Sequence, residues 1–151
     1  RIFIYKKNYK NKIPNKKNLI EKDKKLLNNL KDKLPNLIKL INQQNLNEYI
    51  KTVVSFSFDA NKYFNDSEPW ALKKTDSSRM ETILYVISEQ IKNISILLNP
   101  IIPEATGKIL QTMNINKENV SIDAINKDNA MNHDKELKDL KILFKKIDND
   151  N

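Results

Sequence analysis

The residues with the clearest chemical potential lie in the stretch NKYFNDSEPWALKK, residues 61–74. This stretch contains the only tryptophan of the chain, Trp70, which directly follows Pro69 and precedes Lys73. Proline stiffens the backbone that carries the indole, and an indole face with cations nearby can stack on an unpaired nucleic-acid base. A lone tryptophan can equally anchor a core or a helix end. The sequence of this stretch therefore permits both stacking and packing.

The chain has little material for a catalytic or metal site. It has no cysteine and one histidine, which excludes a cysteine-ligated zinc site and leaves almost nothing for a histidine-based triad. His133 lies between polar residues and is predicted to be a solvated loop histidine. No carboxylate is paired within an apolar stripe where burial would raise its pKa for acid–base work. We predict no catalytic residue, no metal ligand and no cofactor in this chain.

The charge of the chain is unevenly distributed. Residues 1–40 carry 13 Lys/Arg against 3 Asp/Glu, whereas residues 41–151 carry 14 against 16. The first part is therefore +10 and the second −2, within a net charge of +8. A basic flank beside a near-neutral body fits a polyanionic partner, because each neutralised phosphate releases counterions. A solvated, lysine-rich surface would give the same pattern, so the charge alone leaves both interpretations open.

The spacing of apolar residues predicts the helices that would carry these features. A first helix spans Leu26–Ile41 and contains Pro35, which should kink or break it near Asn36. A second helix runs from Leu46 to about Asp66, immediately before the corner with the tryptophan. The tryptophan is thus expected in a break between two helices.

The second half of the chain continues this helical pattern. The sequence Ser78–Glu81 predicts a capping box that opens a third helix, which Pro100 ends. Pro103 suits the first turn of a fourth helix. Residues 114–134 are polar and are predicted to be a loop with at most one short turn. A last short helix is predicted for Lys135–Lys146.

The predicted fold class is an all-α bundle of about five helices in a single domain, residues 1–151. The bundle would occupy residues 1–113, and a short C-terminal helix and tail would occupy residues 135–151. A single glycine argues against an all-β fold and against a glycine-rich phosphate loop. The chain contains no run of about 18 apolar residues, so the sequence predicts no membrane span. The start of the chain has no methionine and no signal-peptide layout, so we expect it to be part of a longer polypeptide.

Four stretches follow in order along the chain: RIFIYKKNYKNKIP, NKYFNDSEPWALKK, LLNPIIPEATGKIL and LKILFKKID. Together they resemble segments of methionyl-tRNA synthetases. NKYFNDSEPWALKK is similar to the segment in which an Asn-x-Tyr helix end leads through an acidic turn to Pro-Trp and Lys. The start, RIFIYKKNYKNKIP, resembles the segment that joins the catalytic part of those enzymes to their anticodon-binding bundle. LLNPIIPEATGKIL resembles a Pro-x-x-Pro helix start, and LKILFKKID resembles the closing Leu-Phe-x-x-Ile segment. The resemblance covers nearly the whole chain.

The resemblance implies the anticodon-binding helical bundle of class I aminoacyl-tRNA synthetases and recognition of the CAU anticodon of methionine tRNA. Trp70, after Pro69, would stack on the first anticodon base, and Arg1 would hydrogen-bond a base edge. The asparagine that accompanies this arginine in the family would lie four residues before Arg1, outside this chain. Asn61 and Tyr63 would shape the pocket under the Pro-Trp pair.

The resemblance also implies partners. Basic side chains would steer the tRNA through its phosphates: Lys6, Lys7, Lys10, Lys73 and Lys74. The parent polypeptide would be an ATP-dependent methionine–tRNA ligase, with its ATP and methionine sites in a catalytic domain upstream in cis. We expect a cytoplasmic monomer with no membrane partner. The alternatives are a helical protein-interaction module, in which the tryptophan only packs, and the related bundle of a valyl, leucyl, isoleucyl or cysteinyl enzyme.

Overall fold

The computed structural model describes residues 12–16, 18–127, 131 and 133–138. Within these residues the chain is helical and contains no strand. The five longer helices are α1 Glu21–Asp32, α2 Leu34–Asn42, α3 Leu46–Ser67, α4 Ser77–Leu98 and α5 Pro103–Thr112. A 3₁₀ helix, Lys117–Asn119, and a short helix, α6 Ile122–Ile125, follow. The predicted all-α bundle of about five helices is confirmed.

Helix α4 lies at the centre of the bundle. It packs against α1, α3, α5 and α6, and buried residues occur around its whole circumference. Leu30 of α1, Phe56 of α3 and Val86 of α4 are completely buried in the resulting core. A helix buried on all sides differs from the amphipathic helices around it, which bury one stripe each. The surrounding helices therefore use α4 as their common packing surface.

The prediction that Pro35 bends or splits the first helix is confirmed. Helix α1 ends at Asp32, and α2 begins at Leu34, with Lys33 between them. Pro35 lies in the first turn of α2, where its missing N–H donor is not needed. The break thus precedes the proline and does not lie near Asn36, because the ring disturbs the turn before it and not the turn after it.

The other proline positions also limit helices as predicted. Helix α4 ends at Leu98, shortly before Pro100, and Pro103 opens α5. Helix α3 ends at Ser67, one residue beyond the predicted Asp66. These boundaries follow from local sequence because proline cannot continue a helix but is accommodated in its first turn.

The cap of α4 differs from the prediction. The side chain of Asp76 accepts a hydrogen bond from the backbone N–H of Arg79 at 2.9 Å, so Asp76 is the N-cap and the helix starts at Ser77. The predicted box began at Ser78 and used Glu81. A carboxylate is a good N-cap, and its negative charge also complements the positive end of the helix dipole.

The segment after α5 is more helical than predicted in its first part and less helical than predicted in its last part. Two short helical segments, Lys117–Asn119 and α6, replace the predicted loop with at most one turn. Residues 133–138 are irregular, so the predicted last helix does not begin at Lys135. Residues 139–146 lie outside the described residues. The backbone N–H of Lys138 donates to the carbonyl of Thr112 at 3.0 Å, which ties this segment to the end of α5.

The prediction of a solvated His133 is wrong. The imidazole is half-buried and lies 5.9 Å from the ring of Tyr85 on α4, measured between ring centres. Its Nδ1 is 3.2 Å from the carbonyl oxygen of Ile13, a buried residue. The polar neighbours of His133 in sequence gave no sign of these contacts, because both contacting residues are distant along the chain.

Candidate functional site

Trp70 lies in a corner, residues 68–76, that joins α3 to α4. Helix α3 ends where Glu68 adopts a left-handed backbone conformation, with φ 42° and ψ 54°. A left-handed residue after the last helical turn reverses the chain direction and is a common way to end a helix. The next residue, Pro69, is buried, so the corner is anchored directly before the tryptophan.

Backbone hydrogen bonds inside the corner hold its shape. The N–H of Ala71 donates to the carbonyl of Glu68 at 2.9 Å, and the N–H of Leu72 donates to that of Pro69 at 3.2 Å. The N–H of Asp76 then donates to the carbonyl of Leu72 at 2.8 Å. Successive turns of this kind, together with a proline, restrict the backbone on both sides of Trp70.

The indole of Trp70 is partly packed and partly open. Its ring centre lies 5.7 Å from that of Phe64 on α3, with an angle of 54° between the ring planes. Phe64 is buried, whereas Trp70 is 52% exposed. A tryptophan that served only as a packing residue would be expected to bury both faces of its ring. Here the bundle supports the indole and leaves about half of the residue's surface accessible.

The cationic residues predicted for this site are only partly within the described residues. Lys73 and Lys74 are exposed in the corner, a few residues after Trp70. Arg1 and the three lysines Lys6, Lys7 and Lys10 lie outside the described residues. The structure therefore places two of the predicted cations in the same corner as the tryptophan and gives no position for the others.

Asn61 and Tyr63, two residues apart, lie on different faces of α3. Asn61 is exposed and lines an apolar groove of about 300 Å³ between α3, α4 and α5. Tyr63 is buried on the side of α1, and its hydroxyl donates a 2.6 Å hydrogen bond to Asp23. Of the two, Tyr63 is therefore connected to the interior of the bundle, whereas Asn61 shares its groove with Phe64, the ring that contacts Trp70.

Asp23 gathers hydrogen bonds from three parts of the chain. Its Oδ1 accepts from the Tyr63 hydroxyl at 2.6 Å and from Nη2 of Arg79 at 2.7 Å. Its Oδ2 accepts from Nη1 of Arg79 at 2.6 Å and from the backbone N–H of Ile20 at 3.0 Å. The carboxylate is fully buried, and Arg79 is mostly buried. The bidentate geometry is one that arginine can supply and lysine cannot.

The ionisation of this cluster follows from its contacts. Burial by itself would raise the pKa of Asp23, but the hydrogen bonds from Arg79, Tyr63 and the Ile20 amide outweigh burial and lower it. Burial and the hydrogen bond to Asp23 raise the pKa of Tyr63. The hydrogen bond to Asp23 also raises the pKa of Arg79. At neutral pH the cluster is an ion pair with a neutral phenol, which suits a structural tie and not acid–base chemistry.

Neither a metal cluster nor a membrane span is present in the described residues. No group of three or more histidine or acidic side chains converges there in a way that could hold a metal ion. No described helix is both long enough and apolar enough to cross a membrane.

A comparison with protein families decides the assignment. The family described as the anticodon binding domain of methionyl tRNA ligase matches residues 13–151. The chain belongs to this family. The match includes the Pro-Trp corner, α1 to α6 and the segment that follows them.

Curated relatives and solved structures agree with the family. The chain is 35% identical to the methionine–tRNA ligase of Brucella suis over 107 residues, which is 71% of this chain and 21% of that protein. It is 30% identical to the Rickettsia felis enzyme over 113 residues, 75% of this chain and 22% of that protein. The Mycobacterium tuberculosis methionyl-tRNA synthetase bound by methionyl-adenylate matches with a TM-score of 0.78 and 27% identity, over 83% of this chain and 26% of that one.

The chain thus spans about a fifth of the length of the methionine–tRNA ligases that it matches. Within this domain, Asp23 and Arg79 are the residues that sequence reasoning missed. One signal was available, because arginine occurs only at positions 1 and 79 among the 27 Lys/Arg residues. In a chain that otherwise uses lysine, an arginine indicates a position where a bidentate or planar contact is needed.

Proposed function

We propose that this chain binds the CAU anticodon of methionine tRNA and that Trp70 stacks on the first anticodon base. The observation that carries the proposal is that Trp70 is 52% exposed while its ring rests on Phe64 of α3, in a chain of this family. A supported aromatic ring with one accessible surface loses little conformational freedom when a base stacks on it. Membership of the methionyl tRNA ligase family argues against the neighbouring synthetases.

The remaining residues have supporting roles in this proposal. Arg1 hydrogen-bonds a base edge, as the resemblance to the family implies. Pro69 fixes the backbone before the indole, and Tyr63 supports the corner from inside the bundle. Asn61 is proposed for the same supporting role by resemblance; it is exposed and lines the groove that Phe64 also lines. Phosphate contacts supply most of the affinity, and the base contacts supply the specificity. The phosphate contacts come from Lys6, Lys7, Lys10, Lys73 and Lys74.

The proposal extends to the parent polypeptide. The parent polypeptide is an ATP-dependent methionine–tRNA ligase. Its catalytic domain uses ATP and methionine and lies in the same polypeptide as this chain. The Brucella suis and Rickettsia felis relatives carry the name of that enzyme, and the Mycobacterium tuberculosis enzyme has been solved with methionyl-adenylate. The parent acts as a monomer in the cytoplasm, and this chain contributes recognition without its own cofactor.

A binding titration with matched aromatic variants tests the function. The 151-residue chain is titrated with methionine tRNA and with a tRNA changed only at the first anticodon base. Trp70→Ala should weaken binding to methionine tRNA by about ten- to a hundredfold, because base stacking contributes about 1–3 kcal/mol. Trp70→Phe should recover part of this loss, since a smaller ring still offers a face. Phe58→Ala is the control, because Phe58 is an exposed aromatic of α3 outside the corner.

The outcomes separate the interpretations. Wild-type chain should prefer methionine tRNA, Phe58→Ala should keep that preference, and Trp70→Ala should bind the two tRNAs with similar affinity. If wild type and Trp70→Ala bind both tRNAs equally, Trp70 is a packing residue and the proposed function is wrong. If Phe58→Ala weakens binding to methionine tRNA as much as Trp70→Ala does, the binding surface is the apolar surface of α3 and not the corner.

A further inference from the structure

The two side chains that Asp23 holds lie on either side of the corner. Tyr63 belongs to the last two turns of α3, and Arg79 belongs to the first turn of α4. Both donate to the same buried carboxylate. Asp23, a residue of α1 outside the corner itself, therefore links the end of α3 to the start of α4.

The hydrogen bonds of the corner itself fix its local shape. Its backbone hydrogen bonds join residues 68–76 to one another and so fix the local turns. They also reach the first turn of α4, where the N–H of Met80 donates to the carbonyl of Asp76 at 3.1 Å, but among the described residues none of them connects the corner to α1. The position of Trp70 on the bundle thus depends on the two helix ends, on the buried Pro69 and on the contact with Phe64.

The cluster is suited to hold these helix ends firmly. Each oxygen of Asp23 accepts two hydrogen bonds, so its protein partners occupy both lone-pair directions. A shift of either helix would break a charge-assisted hydrogen bond and leave a buried polar group unsatisfied, which is costly. The backbone N–H of Ile20 donates to the same carboxylate and so restricts its position on α1.

We propose that Asp23 is a positioning residue for Trp70. Through Tyr63 and Arg79 it holds α3 and α4 at the separation at which the indole rests on Phe64 with its outer surface open. Without this tie the corner shifts, the indole changes its surroundings, and discrimination of the first anticodon base falls. The effect on tRNA rests on the proposed function, whereas the effect on the indole does not.

A pair of tyrosine variants tests the proposal. Tyr63→Phe removes the hydroxyl that donates to Asp23. Tyr49→Phe is a matched control, because Tyr49 is also a buried tyrosine of α3 and its hydroxyl donates to the carbonyl of Leu97, near the opposite end of α4. Both variants lose one buried hydrogen bond, and only one of them touches the cluster. Asp23→Asn is the stronger variant, since it removes the charge and the bidentate acceptor together.

The readouts are the fluorescence of Trp70 and the preference for the first anticodon base. Because Trp70 is the only tryptophan, selective excitation reports its surroundings in the folded chain. We expect Tyr63→Phe to shift the emission maximum, to change quenching by iodide and to reduce the preference about two- to tenfold, the range for one lost hydrogen bond. Asp23→Asn should change the fluorescence and the preference more than Tyr63→Phe does. Tyr49→Phe should lower the melting temperature and leave both readouts at wild-type values.

Each other outcome has a defined meaning. Wild-type fluorescence in folded Tyr63→Phe would overturn the proposal, and so would an equal shift in Tyr49→Phe, which would indicate general loosening. If Asp23→Asn does not fold, the tyrosine pair still decides. If the fluorescence shifts as expected but wild-type chain shows no preference between the tRNAs, the positioning role stands and the proposed anticodon function fails.

Discussion

The indole of Trp70 lies against the buried ring of Phe64, with 5.7 Å between ring centres, and about half of the tryptophan remains exposed. The two rings therefore contribute differently to stability. Truncating a large buried aromatic residue costs about 3–5 kcal/mol, and we expect this for Phe64→Ala. For Trp70→Ala we expect about 1–2 kcal/mol, in proportion to its partial burial. Urea unfolding of both variants measures the difference. Equal losses would indicate that Trp70 is a core residue.

The affinity for tRNA should depend steeply on salt. If the basic side chains neutralise four to six phosphates, the logarithm of the affinity should fall with the logarithm of the salt concentration at a slope of roughly −3 to −5. Replacing both Lys73 and Lys74 by alanine should make this slope less steep by about 1–2. Lys51→Ala is the control, because Lys51 is exposed near the other end of α3. An affinity that hardly changes with salt would contradict the phosphate contacts.

Acid should weaken the tie that Asp23 provides. Its pKa is lowered in the folded chain by its hydrogen bonds, against the effect of burial, so folding favours the ionised form. The resulting stability is complete above the ordinary aspartate pKa of about 3.9 and is lost as the pH falls through the lower pKa of the folded state. The difference in unfolding free energy between wild type and Asp23→Asn should be constant from about pH 7 to 5 and narrow below about pH 4. If the difference in unfolding free energy grew as the pH fell, it would contradict a lowered pKa of Asp23 in the folded chain.

A second buried ion pair gives a prediction about the core. Nζ of Lys92 lies 2.7 Å from Oε1 of Glu89, and both side chains of α4 are buried. Within the described residues, Oε2 of Glu89 has no hydrogen-bond partner. Lys92→Met should therefore cost about 3–5 kcal/mol, because it leaves a buried carboxylate unpaired. Replacing both residues by methionine should recover most of that loss. If the double variant loses as much unfolding free energy as Lys92→Met and Glu89→Met lose together, the two side chains are not coupled.

The helices and their breaks could be predicted from the sequence because they depend on residues a few positions apart. Apolar residues three and four apart defined α3 and α4, and Pro35 predicted the split between α1 and α2. The cap of α4 shows the limit of such patterns. Asp76 and Ser78 are both good N-caps and lie two residues apart, so the local sequence did not decide between them. The ring contact of His133 with Tyr85 was beyond local patterns altogether.

That Trp70 follows a proline in a break between helices could be predicted from residues 61–74 alone, and the four motifs pointed to the family. The contacts that join the helix ends on either side of the tryptophan depend on how the bundle packs. Asp23 is 40 residues from Tyr63 and 56 from Arg79, so no local pattern predicts that they meet. A buried carboxylate is stable only when enough donors converge on it, and that convergence depends on how α1, α3 and α4 pack. The partial exposure of Trp70 also depends on packing, because the ring of Phe64 contacts the indole and covers part of it.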